Sequence, residues 1–423
     1  MKSLLIFTVF LCFFNITNCQ ISSEDDEFLD DLERRAFLFF WEQANSTTGQ
    51  VKDRAFSNGT DDNRPVSSIA ATGFGLTALV IAHSRDYHPK KLIEERIKNT
   101  LDFIWTHLDG HKGFYYHFID MHTGERVWNC ELSSKDTAIL INGILTVKAY
   151  FKDNNYFQNL TSSIYNRVDY EWMLNGQEVL SMGWKPESGF LKNDNWDRYC
   201  ELLMLVLQAI GSPTHPILSK YWNSFKRDKY TYKNYTFITV EDGAPLFVHQ
   251  FSHAWYDFQG KSDKYTDYYE NSVIATKAHR LWMIRGYMAW CGPPIQGPID
   301  GSVVPCAPAG SIPFLPKETI SVLKNLKLKY PRSWDRYGFI DAFNPLVDWY
   351  NPDVIGIDVG ITMIMAENYR SRLIWNIFMQ NEHVVNSMKI VGFKNNTEFN
   401  NSNRNYLNFF ILLLLIINFF KSI

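Results

Sequence analysis

The chain lacks a strong net charge and any block of basic residues. Its 42 lysine and arginine residues nearly balance 45 aspartate and glutamate residues, which leaves a formal net charge of −3. Without a positive patch, neither nucleic acid nor an anionic membrane surface is an expected partner. Low-complexity linkers and strict repeats are also missing, so the 423 residues are expected to form one large domain or two.

Several motifs of catalysis and ligand binding are absent as well. No serine lies in a nucleophile elbow, and Gly73–Gly75 lacks the preceding strand of a nucleotide-binding loop. His249 and His253 have the i, i+4 spacing of a zinc pair, with Asp257 one turn further on. Glutamine and phenylalanine, however, stand where a zinc protease carries its glutamate. We therefore expect neither a metal nor a cofactor, and interpret the two histidines as polar residues of a cleft or core.

Cysteines are few. Two of the six lie within the first 19 residues, and the other four are Cys130, Cys200, Cys291 and Cys306. Four cysteines allow three disulfide pairings, between which the sequence does not choose. A Cys291–Cys306 bond would be local, whereas a Cys130–Cys200 bond would join two acidic segments. Buried free thiols are the alternative.

The N-terminal residues predict a secretory route. Lys2 precedes an apolar run over residues 4–14, and small residues before Gln20 fit a cleavage site. This order is typical of a signal peptide over residues 1–19. Six Asn-x-Ser/Thr triplets agree with passage through a eukaryotic secretory pathway. They begin at Asn45, Asn58, Asn159, Asn234, Asn395 and Asn400.

Residues 395–423 form a second distinctive segment. A polar spacer is followed by an almost wholly apolar run over 407–420, which resembles the signal for a glycosylphosphatidylinositol anchor. A plain tail anchor is the alternative, although the run is shorter than the ~20 residues that span a bilayer. We expect a monomer outside the cell or at its surface, which touches a membrane only through this tail.

Apolar periodicity predicts a mainly helical domain over residues 20–394. Helical spacing is found from Phe28 to Phe40, and eight further helices follow. They are expected at 69–83, 92–108, 136–151, 158–172, 199–210, 268–284, 317–328 and 359–379. Lys112–Val127 breaks this pattern with clustered aromatics and a turn, which predicts a short β-hairpin. Helices joined by long loops favour an (α/α)6 toroid, whose loops form a cleft, over a simple bundle.

Aromatic residues are abundant, at 16% of the chain, and two segments combine them with acids. Trp128–Leu140 places Glu131 and Asp136 at the start of an apolar helix. Gly183–Leu205 contains two tryptophans and Glu201, followed again by apolar residues. Carboxyl groups move protons at a glycosidic bond, and aromatic faces stack on sugar rings. These segments therefore predict a sugar-cleaving cleft.

Each acid also has a purely structural explanation. Ser133 and Asp136 fit a capping box, in which the acid only satisfies backbone N–H groups. Glu201 lies at the start of a predicted helix, where a negative charge suits the helix dipole. Asp341 and Asp358 lie in glycine-flanked loops among aromatics, where an aspartate commonly forms a turn.

Seven short blocks occur in a fixed order along the chain, at 68–78, 128–138, 182–187, 245–255, 337–345, 356–360 and 367–370. The second reads Trp-Asn-x-Glu-Leu-Ser-Ser-x-Asp-Thr-Ala, where x marks an open position, and the third reads Met-Gly-Trp-Lys-Pro-Glu. The blocks extend over essentially Leu32–Phe393. Together they resemble the bacterial glucoamylase-like family, the relatives of endo-β-1,2-glucanases.

The resemblance implies an all-α (α/α)6 toroid that hydrolyses a β-linked glucan, with β-1,2-glucan favoured and with inversion of configuration. By motif, Glu201 corresponds to the general acid. The cleft acids on the base side, or in contact with sugar hydroxyls, would be Glu131, Asp136, Asp341 and Asp358. Candidates for binding a polysaccharide or oligosaccharide are Trp128, Trp184, Trp196, His249, His253, Trp255 and Tyr116.

One departure from the family pattern follows Ile284. Bacterial members carry a substantial loop between a His-Arg helix and a Gly-Pro-Pro segment, whereas here His279-Arg280 runs almost directly to Gly292. Such a loop would line the cleft. The missing loop has three alternative interpretations. The substrate differs from that of the bacterial members, the protein is a pseudoenzyme that binds carbohydrate without cleaving it, or an exon is missing from the gene prediction.

Overall fold

The computed structural model of the chain describes residues 21–240, 245–284 and 301–397, with side chains omitted at 282–284. Within these ranges the fold is rich in helix. The α-helices are α1 (Ser23–Glu42), α2 (Ile69–Ser84), α3 (Lys90–Thr106), α4 (Ser134–Tyr150), α5 (Asn155–Asn166), α6 (Tyr170–Met173), α7 (Leu203–Gly211), α8 (Tyr268–Ile284), α9 (Cys306–Ala309), α10 (Pro316–Lys329), α11 (Gly356–Arg370), α12 (Leu373–Phe378) and α13 (Glu382–Ile390).

Short antiparallel strands connect the helices, in pairs or in one set of three. They are β1 (Arg54–Phe56), β2 (Val66–Ser68), β3 (Gly110–His111), β4 (Phe114–Tyr115), β5 (Phe118–Asp120), β6 (Leu132–Ser133), β7 (Gly183–Lys185), β8 (Gly189–Phe190), β9 (Lys229–Tyr232), β10 (Tyr235–Ile238), β11 (Lys261–Ser262), β12 (Trp334–Asp335), β13 (Gly338–Phe339), β14 (Phe343–Asn344), β15 (Trp349–Tyr350), β16 (Asp353–Ile355) and β17 (Lys394–Asn395). Four 3-10 helices cover Ser219–Asn223, Leu246–His249, Phe251–Ala254 and Pro331–Ser333.

Three buried helices each begin directly where a strand ends. α2 follows β2, α4 follows β6, and α11 follows β16. The side chains of Ser68 and Ser133 accept hydrogen bonds from the backbone N–H groups of Ala71 and Asp136, at 3.4 and 3.2 Å. These caps satisfy N–H groups that the first turn leaves free.

Glycines allow α2 to pack very closely against α4 and α11. A methyl group on Gly73 would lie 2.5 Å from the carbonyl oxygen of Ile139 on α4, and one on Gly143 would overlap the backbone of Gly73. On the other side, Gly356 faces Ala71 and Gly360 faces the ring of Phe74, so α2 and α11 run in the same direction. His83 and Tyr150 meet at the C-terminal ends of α2 and α4, with 2.9 Å between Nδ1 and the hydroxyl oxygen. The N-termini of all three helices consequently lie at one end of the core.

Ion pairs hold the C-terminal end of α11. The Arg370 side chain is only 4% exposed, and its guanidinium lies 2.8 Å from both Asp26 and Glu33 on α1. Arg85, next to α2, pairs with the buried Glu367 at 2.9 Å. Burial and the nearby Glu367 carboxylate raise the pKa of Glu33 well above its ordinary value. This network fixes α11 against α1 and α2.

Most predicted helices agree with the structure to within a few residues, and two do not. The segment expected at 158–172 is divided, because α5 ends at Asn166 and α6 starts at Tyr170. The segment expected at 359–379 is divided at Arg372, whose φ of 61° is left-handed and interrupts the helix. That segment also starts earlier than predicted, so Asp358 lies in the first turn of α11 rather than in a loop.

The predicted hairpin over Lys112–Val127 is confirmed in part. The backbone N–H groups of Asp120 and Val127 donate to the carbonyls of Glu125 and Phe118, so the chain folds back at the expected turn. The strands of this segment also pair with others, since β4 pairs with β3 and β5 pairs with β2. Of the alternatives for the cysteines, the structure shows free thiols. Cys130 and Cys200 carry free thiols, as does Cys306, so the Cys130–Cys200 bond is not formed. Cys291 lies outside the described residues. No described helix is both long enough and apolar enough to cross a membrane.

The contact between α2 and α4 makes a testable prediction for Gly143→Ala. Because the added methyl group would overlap the backbone of Gly73, we expect the free energy of unfolding to fall by ~1–3 kcal/mol, as in other overpacked cores. Urea unfolding followed by circular dichroism measures this change. Ser163→Ala on the outer helix α5 is the control and should change stability by less than ~0.5 kcal/mol. An unchanged Gly143→Ala midpoint would contradict the close packing.

Candidate active site

The first turn of α4 carries the first group of acids. Ser133 caps the helix, and its hydroxyl also donates a hydrogen bond of 2.5 Å to the carboxylate of Asp136. Asp136 is 3% exposed. Burial alone would raise its pKa, but the positive charges of Lys135 and His117 outweigh burial and lower it. Asp136 is therefore the centre of a charged cluster that includes His117 and Lys135.

His117, between β4 and β5, joins two of the predicted site acids. Its Nδ1 lies 3.0 Å from Glu131 and its Nε2 lies 3.6 Å from Asp136. Burial disfavours the charged imidazole, yet the two carboxylates together raise its pKa. The same contact lowers the pKa of Glu131, chiefly through the hydrogen bond from His117. A protonated His117 thus links the two acids electrostatically.

Lys135 continues the cluster toward Glu201. Its ammonium lies 3.6 Å from Asp136 and 3.9 Å from Glu201. Glu201 is 6% exposed and precedes α7, so it reaches the cluster from a separate element. Lys135 is partly desolvated, but the two carboxylates raise its pKa. The charges alternate in sign along Glu131, His117, Asp136, Lys135 and Glu201.

A second acidic group lies at the start of α11. Asp358 in its first turn lies against Asp341, and burial together with that second carboxyl raises the pKa of Asp358 well above its ordinary value. Two carboxyls in contact share a proton because both cannot ionise cheaply. The amide of Asn351 donates a hydrogen bond of 2.7 Å to Asp341. The thiol of Cys306 also contacts Asp358.

A cavity of about 210 Å³ is lined by residues of both groups. Lys135 represents the first group, and Asp358 with Cys306 represents the second. The remaining wall is largely apolar and is formed by Pro245, Leu246, Phe247, Gln250, Phe251, Ala307, Ile357 and Ile361. A second cavity beside Asp341 and Asp358 holds only about 20 Å³. The larger cavity is therefore the one that can admit part of a ligand.

The structure brings all five predicted catalytic acids to this region, in two sets. Glu131, Asp136 and Glu201 belong to the set around Lys135, and Asp341 and Asp358 form the other. Asp136 and Asp358 lie in the first turns of α4 and α11, where the helix dipole favours negative charge. Glu201 precedes α7, which begins at Leu203 and thus later than predicted.

Four of the predicted sugar contacts lie in the core instead. Trp255 is 0% exposed and donates to Thr77, and Trp196 donates to Ser134 at 2.8 Å. His249 and His253 are each 1% exposed, and burial lowers the pKa of both to about 3. Buried rings present no face to a bound sugar.

Two neutral buried histidines also do not make a metal site by themselves. His249 contacts the hydroxyl of Tyr199 at 3.1 Å, and His253 contacts the hydroxyl of Ser272 at 3.2 Å. Among the described residues no three histidine, cysteine or acidic side chains are arranged to hold a metal ion. These contacts agree with interpreting the histidines as core residues.

The other predicted aromatic contacts differ in exposure, from Trp128 on the surface to Tyr116, which is 7% exposed. The side chain of Trp128 is 67% exposed, and its backbone φ of 55° is left-handed. Its ring lies beside that of Phe118, with the two centroids 5.2 Å apart. Trp184 is half-buried, and one of its faces stacks on His111 at 5.3 Å. Tyr116 is covered by the guanidinium of Arg126. Of these rings, only Trp128 has a largely free surface.

The sequence analysis missed His117, Lys135, Asn351 and Cys306. Lys135 had a local signal, because a lysine in the first turn of a helix opposes the helix dipole. His117 stood within the aromatic run that predicted the hairpin. Nothing local marked Cys306 or Asn351, since both reach the acids through tertiary contacts.

A family model described as "putative glucoamylase" matches residues 193–285 and 279–382. This match confirms the resemblance to glucoamylase-like proteins that the sequence blocks predicted. The two matched segments meet at residues 279–285. This is next to the place where the chain lacks the loop of the bacterial members. Residues 285–300 themselves lie outside the described residues.

Among curated proteins, the chain is similar to an exo-β-1,2-glucooligosaccharide sophorohydrolase of Parabacteroides distasonis. The two are 25% identical over 418 aligned residues, which cover 85% of this chain and 57% of the relative. The chain therefore spans somewhat more than half the length of that relative.

Two crystal structures share the fold over nearly their whole length. One is a Bacteroides caccae protein described in the same words as the family model, with a TM-score of 0.82 and 25% identity, covering 88% of this chain and 100% of that one. The other is an endo-β-1,2-glucanase of Chitinophaga pinensis in complex with sophorotriose and glucose. It has a TM-score of 0.80 and 25% identity, with coverage of 88% and 99%.

The acid pair predicts how stability depends on pH. The pKa of Asp358 is raised in the folded state, so this pair favours folding most below about pH 4, the ordinary pKa of aspartate, and less as the pH rises through the raised pKa. We expect Asp341→Asn to weaken this dependence, since a lone Asp358 no longer faces a second carboxylate. Urea midpoints between pH 3 and 7 measure it.

Asp348→Asn provides the matched control, because the side chain of Asp348 is 80% exposed and pairs with Arg332 on the surface. Its pH dependence should follow that of the unmodified protein. If Asp341→Asn also follows the unmodified protein, the two carboxyls do not share a proton.

Proposed function

We propose that the protein is a glycoside hydrolase that cleaves a β-linked glucan, with β-1,2-glucan as the favoured substrate. The proposed reaction inverts the configuration at the anomeric carbon, and the proposed fold is an (α/α)6 toroid. The named activities of the Parabacteroides distasonis and Chitinophaga pinensis relatives support this class of substrate. The observation that carries the proposal is a cavity lined both by Lys135, which contacts Asp136 and Glu201, and by Asp358 of the second acidic group. An inverting glycosidase needs two carboxyl groups on opposite sides of the bond, with room for water.

In this mechanism Glu201 is the general acid that protonates the leaving oxygen. Asp358, which lines the cavity, is the base that activates water. Its raised pKa suits this role, because a base works best when its pKa approaches the working pH. Asp341 keeps that pKa high, and Asp136 and Glu131 bind sugar hydroxyls. The exposed indole of Trp128 stacks on a sugar ring outside the cavity.

A protein that binds carbohydrate without cleaving it is the second candidate. The division of the family match at 279–285 favours it, since a shortened loop can leave the fold intact and the cleft incomplete. Both candidates have a polysaccharide or oligosaccharide partner. They differ in whether a glycosidic bond is broken.

The test is release of reducing ends from linear β-1,2-glucan, with β-1,3-, β-1,4- and α-glucans in parallel. Glu201→Gln and Asp358→Asn should each lower the rate by about 10²–10⁴-fold, the usual contribution of an acid or base. Glu171→Gln, an exposed residue on the short helix α6, is the control and should keep full activity. The anomer released first, read by NMR, tests inversion.

The outcomes separate the candidates. Binding of β-1,2-glucan without release identifies a carbohydrate-binding protein. Release that survives in Glu201→Gln assigns the acid to another residue. Release only from a different glucan keeps the hydrolase and changes its substrate.

We further propose that the protein acts outside the cell as a monomer, held at the surface by its C-terminal segment. The predicted signal peptide and tail support this location, and both lie outside the described residues apart from 395–397. Release from intact cells by phosphatidylinositol-specific phospholipase C would indicate the lipid anchor. Retention after that treatment would favour the plain tail anchor.

A further inference from the structure

Lys135 is a buried cation at a position that the family block leaves open. In the block over residues 128–138, the residues on either side match, and position 135 is the x before aspartate. The Lys135 side chain is 20% exposed and is one of the groups that line the 210 Å³ cavity.

The local structure gives no reason for a lysine at this position. Lys135 lies in the first turn of α4, where the positive end of the helix dipole repels a cation. Burial of the ammonium adds a desolvation cost. A residue that opposes local preference in this way often serves the site in which it lies.

The tertiary contacts compensate both costs. Lys135 Nζ lies 3.6 Å from Asp136, on its own helix, and 3.9 Å from Glu201, on a different element. Cys200 is also close, and Asp358 lines the same cavity as Lys135. Among the described residues, the Lys135 ammonium is the cation that lies within 4.0 Å of both carboxylates.

We propose that Lys135 is a positioning residue, whose ammonium holds Asp136 and Glu201 as one charged unit at the cavity wall. This inference rests on the proposed function for its effect on catalysis. Removal of the cation makes both carboxyls harder to ionise. If one of these carboxyls controls a limb of the pH–rate profile, that limb then moves to higher pH. The direction is the same whether the carboxyl donates or accepts the proton.

The experiment compares Lys135→Met and Lys135→Arg in the full-length protein. We expect Lys135→Met to move at least one limb of the kcat profile upward by about 1 pH unit or more, the usual effect of an opposite charge at this distance. Lys135→Arg keeps the charge and should restore the profile. Lys148→Met is the matched control, a half-buried lysine in the last turn of the same helix, and should leave the profile in place.

A second readout does not need activity. Asp136 has a lowered pKa in the folded protein, so its ionisation stabilises the fold above about pH 4, and this contribution is lost as the pH falls. The Tm deficit of Lys135→Met should therefore grow between pH 3 and 7, whereas any deficit of Lys148→Met should stay constant.

The two readouts separate this inference from the proposed function. If the unmodified protein cleaves no glucan but the Tm deficit grows with pH, the hydrolase fails and the charged unit remains. If the protein is active but neither the pH profile nor the Tm deficit responds to Lys135→Met, the positioning role is refuted.

Discussion

The close packing of α2 against α4 and α11 is the constraint on which the rest of the structure depends. Gly73 and Gly143 let two backbones meet where any side chain would overlap, and Gly360 does the same against Phe74. Because these helices are buried and run in the same direction, their N-termini lie at one end. That end has a positive electrostatic potential from the helix dipoles, so it accommodates a high density of carboxylates.

The pKa values of the acids at the two helix starts are shifted in opposite directions. Around Asp136, the cations His117 and Lys135 compensate the acids, and the pKa of Asp136 is lowered. At the start of α11, Asp341 lies against Asp358, and burial together with this second carboxyl raises the pKa of Asp358. Similar helix termini therefore hold carboxyls whose pKa values are shifted in opposite directions, because cations surround one of them and a second carboxyl lies against the other.

Much of the fold follows from local patterns. Apolar periodicity predicted the long helices α2, α3, α4, α8 and α10 to within a few residues, because a buried helix needs that spacing whatever its neighbours are. The Ser133 cap was also readable, since a capping box is a local motif. The breaks at Asn166 and Arg372 were not, because neither position carries the proline or glycine that commonly marks the end of a helix.

By itself the sequence determined the helical class, the acids at the helix starts and the aromatic character of their surroundings. Only the tertiary structure decided which acids meet. Glu201 reaches Lys135 from a separate element, and Asp341 reaches Asp358 across a loop. It also decided that Trp196 and Trp255 fill the core, while Trp128 stays exposed. Periodicity fixes which face of a helix is apolar, but exposure and pairing depend on contacts between distant segments, which no local pattern specifies.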